Sequence, residues 1–76
     1  MKIEILGSGC PNCKRLEANA KQAVAESGKI AKIEKVTDIA QIMSYGVMST
    51  PAIVIDEEVK AYGRVSSIEE IKKMIA

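Results

Sequence analysis

Hydrophobic and polar positions change their period several times along the chain, and each change marks an element. From Lys2 to Leu6 the residues alternate, with Ile3 and Ile5 on one face, which predicts a short strand. Gly7-Ser8-Gly9 breaks it. From Pro11 to about Ser27, Leu16, Ala20, Ala23 and Val24 recur at the spacing of one helix face. Pro11 suits the first helical turn, where its missing N–H is no loss, and Gly28 is a good terminator. Ile30 to Val36 mixes Ile30, Ile33 and Val36 with Lys32, Glu34 and Lys35. This predicts a strand at a sheet edge, where charge discourages further pairing.

Asp38 followed by Gln41 has the spacing of a capping box and opens a short helix through Ile39, Ile42 and Met43, ended by Gly46. After Pro51, Ala52-Ile53-Val54-Ile55 is a continuous apolar run, the pattern of a central strand. Asp56-Glu57-Glu58 then turns the chain into a hairpin partner, Val59 to Tyr62. Ser66 with Glu69 predicts a second capping box, followed by the stripe Ile68, Ile71 and Ile75 with Met74 beside it. The order is β-α-β-α-β-β-α, an α/β arrangement. With a right-handed crossover between the first two strands it predicts a four-stranded mixed sheet with helices on both faces. There is no internal repeat, low-complexity tract or linker, and 76 residues suit a single domain spanning 1–76.

Composition narrows the function. Eleven Lys and Arg stand against ten Asp and Glu, a formal charge of +1, which argues against a general nucleic-acid binder with a basic face. Tyr45 and Tyr62 are the only aromatic residues, so there is no base-stacking platform either. No apolar stretch approaches the roughly 20 residues a membrane helix needs. The N-terminus MKIEILGSGC carries Lys2 and Glu4 and lacks the apolar core of a signal peptide. The expectation is a cytoplasmic monomer with neither nucleic-acid nor membrane partners. In that reducing compartment two cysteines point to catalysis or metal binding before a structural staple.

Those cysteines form Cys10-Pro11-Asn12-Cys13, after a strand and at the opening of a helix, a redox signature in a βαβ context. Residues three apart on a helix have Cβ atoms about 5–6 Å apart. A disulfide needs about 4 Å, so a modest adjustment of the first turn switches the pair between dithiol and disulfide. With Pro11 as the first helical residue, Cys10 becomes the N-cap. Its thiolate then accepts an orphan backbone N–H and feels the positive helix end, which lowers its pKa. Pro11, Asn12 and Lys14 are candidates for tuning that thiolate, with Arg15 adding positive field. Cys10 is thus the expected nucleophile and Cys13, one turn in, the resolving thiol.

Other readings of the pair stay open. A structural disulfide closing so small a ring would contribute only about 2 kcal/mol. A zinc site needs four ligands, and with two Cys and no His the chain would have to share one between molecules. A copper-type metallochaperone also carries Cys-x-x-Cys after its first strand but ends on a strand, whereas this chain ends on a capped helix. A protein-docking module without redox turnover is a further alternative.

Pro51 in front of a buried strand lacks a ladder donor, and a cis peptide in a tight connection is one explanation. Gly-Ser-Gly-Cys-Pro-Asn-Cys at 7–13, Ser49-Thr50-Pro51-Ala52 before a strand, and Gly63 after the last strand together resemble the thioredoxin/glutaredoxin superfamily. More narrowly, the whole chain resembles the small redox-active disulfide proteins of thioredoxin-like fold. The resemblance implies that Pro51 is a cis-proline packed against the disulfide and that the Thr50 backbone pairs with an extended substrate segment. Met48 and Tyr45 are read either as lining that approach or as ordinary packing.

The resemblance also implies a thiol–disulfide oxidoreductase that needs no bound cofactor or metal. It would act on disulfide-containing protein substrates and be re-reduced by a partner reductase. The chain departs from thioredoxins in having Gly9 where they carry Trp and Pro11-Asn12 between the cysteines. Glu4 is a poor match for their buried Asp. Gly63-Arg64-Val65 replaces the Gly-Gly-acidic pattern of glutaredoxins, so thioredoxin reductase is expected as donor ahead of glutathione.

Overall fold

The computed structural model describes residues 1–7, 11–47 and 49–76. The elements are β1 (Lys2–Leu6), α1 (Pro11–Ser27), β2 (Lys32–Val36), α2 (Ile39–Ser44), β3 (Ala52–Ile55), β4 (Glu58–Tyr62) and α3 (Ile68–Met74), the expected order. The strands form one sheet in the order β2-β1-β3-β4. β1 pairs in parallel with β2 and antiparallel with β3, and β3 forms an antiparallel hairpin with β4. The sheet is therefore mixed, with β2 at an edge as its charges predict.

Burial follows from that order. β1 and β3 are central, so each needs cover on both faces. Ile3, Ile5, Ile53 and Ile55 point to one side, where they pack with Leu16, Ala20 and Ala23 of α1 and Ile71 of α3. Leu6, Ala52 and Val54 point to the other side, against Ile42 of α2 and Val47. All four residues of β3 are consequently buried, which is why its sequence shows no alternation.

Three boundaries differ from the sequence reading. β2 begins at Lys32 rather than Ile30, and Ile30 is 94% exposed. The parallel register pairs Lys2 with Lys32, so β1 offers residue 30 no strand partner. The hairpin turn is Asp56-Glu57 alone, both in the left-handed region with φ of 50° and 68°. Such two-residue turns match the twist of the flanking strands, and Glu58 is already the first residue of β4. The α3 cap is Ser67 with Glu70, one residue beyond Ser66 and Glu69. The sequence offers that spacing in two registers. Ser66 is instead fully buried, its carbonyl accepting from Asn19 Nδ2 of α1 at 3.0 Å.

α2 departs in a smaller way. Asp38 caps it by accepting from the Ala40 N–H at 2.8 Å rather than through a reciprocal box with Gln41. Of its apolar residues only Ile42 is buried; Ile39 and Met43 face outward.

Candidate active site

One end of the sheet gathers Cys13, Thr50 and Pro51. Val36, Leu6, Ala52 and Tyr62 lie opposite one another across the four strands and form its last row. Beyond it the Gly7 N–H donates to the Val36 carbonyl at 3.0 Å, and the Gly63 N–H donates to the Pro51 carbonyl at 3.0 Å. The segments after β1, before β3 and after β4 therefore meet there.

The Thr50–Pro51 bond is cis. Pro51 is buried and Thr50 exposed. Gly63 has φ of 73°, and a Cβ at that position would press to 3.2 Å on the Ser49 side chain, so glycine lets the turn after β4 lie against the proline loop.

α1 starts at Pro11, so its first turn presents Pro11, Asn12, Lys14 and Arg15 to solvent and directs Cys13 inward. Cys13 is 5% exposed and continues the buried stripe of Leu16, Ala20 and Ala23. Its side chain packs against Gly7. The first turn of α1 carries no acidic residue, and neither Lys14 nor Arg15 is ion-paired among the described residues. Cys10 and Met48, with Ser8 and Gly9, lie outside the described residues. The structure thus brings Cys13, Thr50 and Pro51 to one end of the sheet. It does not bring Tyr45 to them.

The Tyr45 hydroxyl donates to Glu4 Oε2 at 2.7 Å, on the sheet face covered by α2. Glu4 Oε1 also meets Lys2 Nζ at 3.3 Å, and the same ammonium reaches Glu34 at 3.6 Å. The hydrogen bond to Glu4 holds the Tyr45 hydroxyl above the usual tyrosine range, burial adding to the effect. Lys2 is raised chiefly by its hydrogen bond to Glu4. These side chains, with Gln41 and Ser44, line a polar cleft of about 280 Å³.

Sequence reasoning missed that Glu4 is buried, at 5% exposure. The signal was available: β1 is central, so a residue between Ile3 and Ile5 must face the other covered side. Among the described residues no group of three or more His, Cys, Asp or Glu could hold a metal ion, and no helix is long and apolar enough to cross a membrane.

Comparison with known proteins agrees with this architecture. The family model described as a thioredoxin domain matches residues 1–76. The chain is 47% identical over 76 residues to a protein named thioredoxin from Methanothermobacter thermautotrophicus, covering all of this chain and 99% of that one. It is 42% identical over 71 residues to a thioredoxin from Methanocaldococcus jannaschii, covering 93% of this chain and 81% of the relative.

Proposed function

Since the chain belongs to the thioredoxin domain family, we propose that it is a thiol–disulfide oxidoreductase working through Cys10 and Cys13 as one domain over residues 1–76. The observation that supports this reading best is the seat of Cys13. It is buried in the first turn of a 17-residue helix, at the end of the sheet where the cis Thr50–Pro51 bond also lies.

Cys10, the thiol preceding the helix, is the nucleophile in this proposal. Its thiolate attacks a substrate disulfide; the substrate S–S bond breaks, one substrate sulfur leaves as a thiol after taking a proton, and a mixed disulfide forms. Cys13 then loses its proton and attacks the Cys10 sulfur. The mixed disulfide breaks, the second substrate thiol is released and protonated, and the protein retains a Cys10–Cys13 disulfide. Two electrons have passed to the substrate, and a partner reductase returns two electrons and two protons.

The helix end makes this chemistry accessible near neutral pH, because an N-terminus whose first turn carries no carboxylate favours a thiolate. Pro11, Asn12 and Lys14 shape that field. Thr50, exposed beside the cis bond, offers its backbone to an extended segment of a disulfide-containing protein.

The donor in this reading is a thioredoxin reductase rather than glutathione. Gly63-Arg64-Val65 lacks a glutaredoxin-like acidic residue, and the Arg64 guanidinium is engaged by Glu70 at 2.6 Å.

Single-cysteine variants test the mechanism. Cys10→Ser is expected to abolish reduction of a model disulfide, whereas Cys13→Ser attacks and then stalls as a mixed disulfide visible by mass spectrometry. Faster alkylation of Cys13 than of Cys10 at neutral pH would reverse the assignment. Stoichiometric Cu(I) or Zn(II) binding without disulfide turnover would favour the metal-carrying alternative.

A further inference from the structure

In the sequence, Gly7 does no more than break β1. Its backbone is not in the left-handed region, unlike Gly28, Gly46 and Gly63, so backbone geometry does not demand glycine there. What demands it is a side chain from another element. A Cβ on Gly7 would fall far inside contact distance of the Cys13 sulfur and only 3.1 Å from the Cys13 Cβ. The next nearest atom, the Thr50 Cβ, is at an ordinary 3.9 Å. The buried sulfur therefore occupies the volume that any larger residue would fill. Gly7 itself cannot shift freely, because its N–H is tied to the Val36 carbonyl at 3.0 Å and the preceding residue, Leu6, is fully buried.

We infer that Gly7 is a positioning residue for the resolving step: its bare Cα is the floor on which the Cys13 sulfur rests, and it sets the rotamer from which that sulfur attacks. This rests on the proposed Cys10–Cys13 mechanism. The step it governs is deprotonation of the Cys13 thiol and attack on the Cys10 sulfur of the mixed disulfide, forming the intramolecular S–S bond and releasing the substrate thiolate, which takes up a proton. The opening attack by Cys10 does not involve the Gly7–Cys13 contact.

Floor and sulfur belong to one rigid frame, with Gly7 held by the sheet and Cys13 by the buried stripe of α1. A methyl group on the floor must therefore be relieved by turning the Cys13 side chain away. Placement errors of about an ångström at a reacting atom cost on the order of a hundredfold in rate. Gly7→Ala is accordingly expected to slow resolution at least tenfold, so that the mixed disulfide accumulates. The rate of first attack on the disulfide probe 5,5′-dithiobis(2-nitrobenzoic acid) should stay within about twofold of the parent protein. A purely structural defect would lower both together. Resolution within twofold of the parent, or an equal fall in both steps, would overturn the inference.

A thermal-unfolding cycle tests the contact independently of any redox chemistry. Gly7→Ala should lower Tm by roughly 10 °C through overpacking. In the Cys13→Ala background, where the sulfur is gone, the same substitution should cost less than half as much. If Gly7→Ala alone fails to fold but the double variant folds, the sulfur is confirmed as the clashing group. An undiminished penalty in the Cys13→Ala background, or failure of both variants to fold, would overturn the inference. A parent protein without disulfide turnover would instead remove the proposed function, while the unfolding cycle would still report on the Gly7–Cys13 packing.

Discussion

Two helices on the same face of the sheet begin in opposite ways. α3 has seven residues, too few to be held by helix propensity alone. Its start carries the full set of stabilising devices: the Ser67 side chain accepts from the Glu70 N–H at 3.1 Å, and Glu70 accepts from the Ser67 N–H at 3.1 Å. Glu69 and Glu70 lie at its positive end and Lys72 and Lys73 at its negative end, as the helix dipole favours. α1 has 17 residues, no acidic residue in its first turn and no basic residue in its last. It even ends near Glu26, which pairs with Lys72 of α3 at 3.2 Å and accepts from Gln22 Nε2 at 2.8 Å. α1 is held by its buried stripe. Among the described residues no acidic side chain of its first turn compensates its positive end, which in the proposed mechanism acts on the nucleophile. The α3 start is built for stability, and in the proposed mechanism the α1 start keeps its field for chemistry.

The sharpest test of that division is to remove the α3 cap. Ser67→Ala deletes the acceptor for the Glu70 N–H and should destabilise the protein by about 1 kcal/mol. In a chain of this size that corresponds to roughly 4–8 °C in Tm. Thiol alkylation of the folded protein at neutral pH should not change. A shift in alkylation rate comparable to the loss of stability would show that the two helix starts are not independent.

The same contrast explains what could be read from the sequence. The start of α1 was legible, because Pro11 and the spacing of Leu16, Ala20 and Ala23 allow one register. The start of α3 was legible only to within one residue, because Ser66-Ser67 and Glu69-Glu70 satisfy the capping pattern twice. The choice rests on a contact to α1, Asn19 to the Ser66 carbonyl, and local sequence carries no trace of that contact. β2 failed likewise: Ile30 fits the strand pattern, but strand length is set by where β1 begins. At the candidate site, Cys13 and the Thr50–Pro51 pair were legible as types in a spacing. The close approach of Cys13 to Gly7 and the Tyr45 hydrogen bond to Glu4 were not, since one depends on a sulfur arriving from the next element and the other on a hydroxyl arriving from α2.

Adding to α1 what α3 possesses tests the comparison in the other direction. Asn12 is exposed in the first turn, so Asn12→Asp places a carboxylate at the positive end without disturbing the core. The helix should gain about 0.3–1 kcal/mol. The same carboxylate disfavours a neighbouring thiolate by a similar amount, so alkylation of Cys10 at pH 7 should slow about two- to fivefold. Chemical denaturation and alkylation kinetics on one sample give both numbers. A variant that gains stability with unchanged alkylation would mean that the nucleophile does not use the helix field.

The smallest effect concerns pH and belongs to α3. The hydrogen bond from Arg64 holds Glu70 below the usual carboxylate range, with the Ser67 N–H adding to it. A carboxylate whose pKa is depressed on folding adds stability above its unfolded value, near about 4.3, and that stability is lost as pH falls through the folded value. Glu26 and Glu34 are depressed as well, the first chiefly by Gln22 and the second chiefly by Lys32, so Glu70 accounts for only part of the acid limb. Glu70→Gln retains an oxygen to accept from the Ser67 N–H but removes the charge that titrates. Between pH 5 and 3 (roughly one unit either side of the unfolded value), urea midpoints of the variant should fall less steeply than those of the parent. At neutral pH the variant should be slightly the less stable of the two, because the pair with Arg64 is exposed and such pairs contribute little. Parallel profiles for the two proteins would mean that neither Arg64 nor the Ser67 N–H favours the charged form of Glu70 in solution. The contrast with α1 would then rest on the Ser67 hydroxyl accepting from the Glu70 N–H and not on the Glu70 charge.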